Sequence, residues 1–85
     1  MKLPDSLKID ALADTRVMMD EALASGQSVS IDASEVASID YCGIQLLLAF
    51  VNELKAHGLS LSWSDASEPL RAAASDLSVD GHLGL

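Results

Sequence analysis

The stretch SIDYCGIQLL, residues 38–47, contains the change of periodicity that decides the fold. Before it, polar and apolar residues alternate, as in strands with one buried face. From Asp40 onward, apolar residues recur at the spacing of a helix that is buried on one side. These residues are Ile44, Leu47, Leu48, Val51 and Leu54. The stretch therefore predicts a strand-to-helix junction, and Cys42, the only cysteine of the chain, lies at the start of the helix.

Asp40 is well placed as the N-cap of this helix. Its carboxylate can accept hydrogen bonds from the amides of Cys42 or Gly43. Those amides, together with the helix dipole, also favour a negative group at position 42. A phosphate fits that electrostatic description, and so does a thiolate. The residues at the junction alone leave both interpretations of position 42 open.

Both periodicities continue on either side of the junction. Strands are predicted at residues 6–9, 28–31 and 59–63. Helices are predicted from an Asp10 cap to about Ser25, from Asp40 to residues 57–58, and from a Ser67 cap onward. Residues 32–35 are predicted as a turn, and the tail from Val79 is assigned nothing beyond a turn. Strands separated by such helices predict βαβ crossovers and a largely parallel sheet.

Composition restricts the class of protein. The 85 residues are enough for one domain, and 49% of them are hydrophobic with only one Trp, one Tyr and one Phe, which predicts an aliphatic core. The net charge of −8 would repel phosphate backbones and anionic membranes, so a basic protein partner fits better. The N-terminus lacks the apolar segment of a secretory signal. The longest apolar run, residues 46–51, is far shorter than the ~20 residues of a membrane span. We expect a single soluble, cytoplasmic domain over residues 1–85.

Neither metal nor cofactor chemistry is indicated. His57 and His82 have no Cys, His or carboxylate at ligand spacing on one helix face. The five glycines are dispersed and form no phosphate-binding loop. A single cysteine cannot form an internal disulfide, and a helix N-terminus lowers a thiol pKa whereas the nearby Asp40 opposes that effect. A redox-sensing thiol at Cys42 is therefore the less favoured alternative, and we expect no cofactor and no enzymatic activity.

The chain resembles the STAS domain family, named for sulphate transporters and anti-sigma-factor antagonists. Its signature is a strand ending in Asp-Leu/Ala-Ser, then Val, then Ile/Leu-Asp-Ser-Ser/Thr-Gly-Leu/Ile at the start of a helix. Matching residues are Asp32-Ala33-Ser34, Val36, Ile39-Asp40 and Gly43-Ile44, and the likeness continues through His57-Gly58-Leu59, Leu61-Ser62-Trp63 and Ser67-Glu68-Pro69-Leu70. It covers nearly the whole chain, although an N-terminal strand of longer members is missing or shortened.

The resemblance implies an α/β fold with a small, mostly parallel sheet of about four strands and helices packed on one face. It also implies a non-catalytic role in bacterial protein–protein signalling. In the anti-sigma antagonists, the second residue after the motif Asp is a Ser or Thr that a partner kinase phosphorylates, and the unphosphorylated form binds that kinase. Here Tyr41 and Cys42 replace the usual hydroxyl residues, so Cys42 occupies the position of the phospho-acceptor and the switch chemistry does not carry over.

By this resemblance, we expect a partner-docking surface at the helix start and the preceding loop. Its predicted residues are Asp32, Ser34, Ser38, Asp40, Tyr41, Cys42, Gly43 and Leu46. Leu46 and Phe50 lie at the edge of the buried helix face, and core packing is expected for at least one of them. The expected partner is an anti-sigma or sensor-type kinase, a chemotaxis-associated protein, or a subunit of a lipid ABC transporter. In one alternative, Ser34 or Ser38 is phosphorylated in place of Cys42.

Overall fold

The computed structural model describes residues 1–85, which form four strands and four α-helices. The strands are β1 (Ser6–Leu7), β2 (Val29–Ala33), β3 (Ser38–Ile39) and β4 (Leu61–Ala66). The helices are α1 (Ala13–Ser25), α2 (Tyr41–Ala56), α3 (Glu68–Asp76) and α4 (Asp80–Leu83), and a 3₁₀ turn, Ile9–Ala11, precedes α1. No helix combines the length and the apolar character that crossing a bilayer requires. The predicted α/β class is confirmed.

All strand pairing is parallel, but it is divided between two pairs. β1 pairs with β3, and β2 pairs with β4. The N-terminal residues connect the pairs: the Leu3 N–H donates to the Asp32 carbonyl at 2.9 Å, and the Asp32 N–H donates to the Met1 carbonyl at 2.8 Å. Residues 1–7 thus run beside β2 first and β3 afterwards, with Pro4, which has no N–H to donate, between the two pairings. The predicted small parallel sheet is present in this interrupted form.

Helices cover one face of the β2–β4 pair, as the sequence predicts. Ile31 and Ala33 of β2 are buried, whereas Ser30 between them points to the other side and is exposed. In β4, Ser62 and Ser64 are exposed in the same way. Successive side chains of a strand alternate between the two faces, so one face of this pair packs on the core and the other meets solvent.

The ends of the helices are largely as predicted. Gly26 and Gly58 adopt left-handed conformations, with φ of 69° and 68°, just after α1 and α2. Ser67 caps α3, because its hydroxyl accepts a hydrogen bond from the Leu70 N–H at 3.3 Å. The predicted cap at Asp10 is wrong: α1 begins three residues later, and Leu12 occupies its N-cap without a side-chain hydrogen bond.

Three other predictions are corrected by tertiary contacts. Ile9, predicted in a strand, lies in the 3₁₀ turn and is 70% exposed. β2 and β4 each extend beyond their predicted ends, because Ala33 and Ala66 pair with each other past an irregularity in register. The tail forms the short helix α4, and the Trp63 indole N–H donates to the Leu83 carbonyl at 2.7 Å.

One aliphatic cluster forms the core of the domain. Met19 of α1 and Phe50 of α2 join it as the larger members, and the remaining buried apolar side chains are aliphatic. The members are Leu3, Leu7, Met19, Ile31, Ala33, Val36, Ile44, Leu47, Phe50, Val51, Leu54, Ala66, Leu70, Ala74 and Leu83. Five of the fifteen residues belong to α2. The helix that follows the junction is therefore the main contributor to the core.

Candidate protein interaction site

Asp40 fastens the start of α2 to the segment that follows β1. One carboxylate oxygen, Oδ1, accepts from the Gly43 N–H at 3.0 Å, which is the predicted N-cap contact. The other, Oδ2, accepts from the Ile9 N–H at 2.9 Å. The second bond links residues 31 positions apart in sequence. One side chain therefore caps the helix and also holds the 3₁₀ turn against it.

Both acidic residues of the family motif have a lowered pKa. Hydrogen bonds from the backbone amides of Ile9 and then Gly43 hold the pKa of Asp40 below its ordinary value of 3.8. For Asp32, hydrogen bonds from the side chain and then the amide of Ser34 lower the pKa in the same direction. The hydrogen bonds favour the ionised forms, so the two carboxylates are ionised near neutral pH.

This arrangement predicts a loss of stability on acidification. A carboxylate whose pKa is lowered by folding contributes stability that is present above its unfolded pKa and disappears as the pH falls through the folded value. We expect the free energy of unfolding to decrease below about pH 4, and Asp40→Asn to make that decrease smaller. The Asn side chain can still cap α2, but its NH₂ group cannot accept the Ile9 N–H. Urea unfolding between pH 2.5 and pH 7 measures the effect.

The matched control is Asp76→Asn, which removes an exposed carboxylate at the end of α3. This variant should keep the pH dependence of the wild type. If Asp40→Asn and wild type lose stability in parallel as the pH falls, the assignment of the acid sensitivity to Asp40 is wrong.

Gly43 brings α2 against the backbone of β1. A β-carbon at position 43 would collide with the carbonyl oxygen of Leu7, and it would lie 3.0 Å from Cγ1 of Ile39. Only glycine permits this approach without displacement of one of the two elements. The positions of Tyr41 and Cys42 in the first turn of α2 are therefore fixed by a cap on one side and a close backbone contact on the other.

An exposed apolar surface surrounds this fixed helix start. Ile9 is 70% exposed and Tyr41 63% exposed. Both residues adjoin Asp40, since the Ile9 N–H donates to its carboxylate and Tyr41 follows it in sequence. Half-buried side chains at the adjoining cavity complete what we call the helix-start surface, which consists of Ile9, Leu12, Tyr41, Cys42 and Leu46.

Sequence patterns did not identify Ile9 and Leu12 as members of this surface. Ile9 fits the alternation of a strand, and Leu12 fits the buried face of a helix. The hydrogen bond from Ile9 to Asp40 places Ile9 here, and Leu12 lines the cavity beside Cys42, and no local pattern reveals either contact. Of the two residues predicted at the edge of the buried helix face, Phe50 is 3% exposed and belongs to the core, whereas Leu46 is half-buried at the surface.

Asp32 and Ser34, which were also predicted as site residues, lie at the end of β2 and are not bonded to the start of α2. The Ser34 N–H donates to Asp32 Oδ1 at 3.0 Å, and the carbonyl between them, that of Ala33, accepts from the Ser67 N–H at 3.1 Å. The turn after β2 is thus tied to the start of α3. No hydrogen bond or ion pair joins it to the start of α2. Ser34 is exposed in this turn, and Ser38 is exposed in β3.

Chemically reactive side chains are not gathered at this surface. Cys42 is a free, half-buried thiol. His57 lies at the opposite end of α2, where its Nε2 is 3.7 Å from Oε2 of Glu53. No group of three or more His, Cys, Asp or Glu side chains has a metal-binding arrangement. The surface offers apolar contacts and hydrogen-bonding groups, which are the means of protein recognition.

One known protein family matches the chain over its entire length. Residues 1–85 match the family model STAS_2, which is described as "Mlab, STAS domain". No curated protein and no solved structure matches the chain. The match includes the strand-to-helix junction and the surface around it.

Proposed function

Because the chain belongs to the STAS_2 family, we propose that it is a non-catalytic protein interaction module of bacterial signalling, which binds its partner through the helix-start surface. Ile9 and Tyr41 carry this proposal, since two large apolar side chains are exposed beside a rigidly capped helix start. Exposed apolar residues that adjoin one another mark interaction sites more often than scattered ones do. Tyrosine is also among the residues that dominate binding energy at interfaces.

Rigidity favours this surface as a docking site. Asp40 and Gly43 hold the first turn of α2 in place before any partner arrives. A preformed site loses little conformational entropy on binding, so more of the contact energy remains as affinity. The net charge of −8 adds long-range attraction to a basic partner surface.

Cys42 removes the phosphorylation switch at position 42 from the proposed module. In the anti-sigma antagonists, which the chain resembles, a phosphoryl group on the second residue after the motif Asp ends binding to the kinase. A thiol at this position is not an expected substrate of a serine/threonine kinase. We therefore infer that position 42 remains unphosphorylated and the helix-start surface binding-competent, and that regulation comes from the partner or from the supply of this protein.

Co-purification from the native host tests the proposal. We expect affinity-tagged wild-type protein to recover a stable protein partner, and Tyr41→Ala to lose it. The identity of that partner distinguishes an anti-sigma or sensor-type kinase, a chemotaxis protein and a lipid-transporter subunit. Recovery of no stable partner with the wild type, or equal recovery with Tyr41→Ala, contradicts the proposed function.

A further inference from the structure

A groove between α1 and α2 continues from the helix-start surface. Two neighbouring cavities, of about 550 and 410 Å³, are both bordered by Arg16 and Leu46. The larger one opens beside Cys42, and the other extends as far as Glu53. From Cys42 to Glu53 the groove follows α2 for about 16 Å, or three helical turns. We call this feature the α1–α2 groove.

The residues that line the α1–α2 groove have the chemistry of a helix-binding site. Its apolar lining comes from Leu12, Met19, Leu23, Leu46 and Phe50. Ala13 of α1 and Ala49 of α2 are exposed on its borders, and their small side chains allow another backbone to approach closely. A third helix can lie between two packed helices, with residues at i, i+3 or i+4 and i+7 in the groove.

The charges along this groove have a definite order. Arg16 borders the cavity at the Cys42 end, whereas Asp20 and Glu53 border only the cavity at the far end. Neither Arg16 nor Asp20 takes part in an ion pair, and the only ion-pair partner of Glu53 is the exposed His57. Asp20 lies about one turn along α1 from Arg16, and Glu53 lies about three turns along α2 from Cys42, so both carboxylates are nearer than Arg16 to the far end of the groove.

We propose that the α1–α2 groove binds an amphipathic helix of the protein partner. The occupant places apolar side chains in the groove, a basic side chain over Asp20 and Glu53, and an acidic one over Arg16. A helix of a second copy is the weaker fit, because two chains of charge −8 repel each other. The proposal rests on the proposed function, since it extends the same docking surface.

Site-specific photo-crosslinking in the native host tests both claims separately. A photoreactive amino acid replaces Ala49 in the groove, Tyr41 at the helix start, or Ser62 on the exposed sheet face as the control. We expect the first two positions to capture the same partner and Ser62 to capture nothing. The peptide linked to position 49 should be an amphipathic helical segment that carries basic residues.

The other outcomes of the crosslinking experiment distinguish failure of the groove proposal from failure of the proposed function. Capture at position 41 without capture at 49 overturns the helix-binding groove and leaves the proposed function standing. Failure at both positions overturns both. Capture of a second copy of this chain at position 49, or of a segment without amphipathic helical character, also overturns the groove proposal.

Charge reversal in the groove provides an independent measurement on the purified complex. Asp20→Lys is expected to weaken partner binding about tenfold, because it places a cation opposite the partner's basic side chain. Glu21→Lys makes the same change of net charge on the neighbouring residue of α1, which does not border the groove. Glu21→Lys should weaken partner binding less than threefold. Equal effects of the two variants would show a response to overall charge and would overturn the groove as the binding site.

Discussion

Replacement of Gly43 by alanine is expected to lower the free energy of unfolding by about 2–3 kcal/mol. The added β-carbon collides with the Leu7 carbonyl oxygen, which is backbone and cannot rotate away. Either α2 or β1 must therefore move, and α2 supplies five of the fifteen core residues. Urea unfolding followed by the fluorescence of Trp63, the only tryptophan, measures this loss.

Gly81→Ala is the matched control for this prediction. A β-carbon at Gly81 meets nothing within 4 Å, and Gly81 lies inside the helix α4. Alanine is favoured over glycine in helices by up to about 1 kcal/mol, so this variant should be as stable as the wild type or slightly more stable. Equal stability of Gly43→Ala and Gly81→Ala would mean that the close approach of α2 to β1 has no energetic importance.

Cys42→Asp is expected to weaken partner binding about 100-fold while the protein keeps its stability within about 1 kcal/mol. A carboxylate in the first turn of a helix interacts favourably with the helix dipole, which offsets repulsion from Asp40. In the complex, the same charge would lie within the docking surface and would have to be desolvated without a partner group. Calorimetric titration of the purified partner, alongside urea unfolding, separates the two effects.

Cys42→Ser supplies the control for the thiol itself. It changes sulphur to oxygen without adding charge, so both affinity and stability should remain near the wild-type values. If Cys42→Asp binds as tightly as the wild type, position 42 lies outside the interface. If Cys42→Ser loses binding or function as severely as Cys42→Asp, the thiol is required, and a redox role for Cys42 becomes the better explanation.

Local patterns in the sequence were sufficient to predict α2, the helix that contributes most to the core. The period of α2, its cap at Asp40 and its left-handed Gly58 depend on residues close together in the chain, and each is confirmed. The alternation in the strands likewise predicted which face of β2 is buried. Interactions of this range are encoded in periodicity and capping residues, which explains why the family resemblance could also be recognised there.

The structural features that the sequence did not predict depend on contacts between residues far apart in the chain. The backbone of the exposed Ile9 is bonded to Asp40, 31 positions away, and α4 is held by the bond from Trp63 to Leu83. The N-terminal residues pair first with β2 and then with β3, a division that no strand pattern contains. The α1–α2 groove is likewise a product of packing, because its charges and apolar lining come from two separate helices.

The most direct test of the helix-start surface compares exposed apolar residues inside and outside it. Ile9 and Tyr41 belong to the surface, whereas Val17 and Leu77 are exposed apolar residues elsewhere. We expect the double variant Ile9→Ala/Tyr41→Ala to bind the purified partner at least tenfold more weakly than the wild type. Val17→Ala/Leu77→Ala should bind within about twofold of the wild type. Unchanged binding of the first variant, or an equal loss in both, would contradict docking through the start of α2.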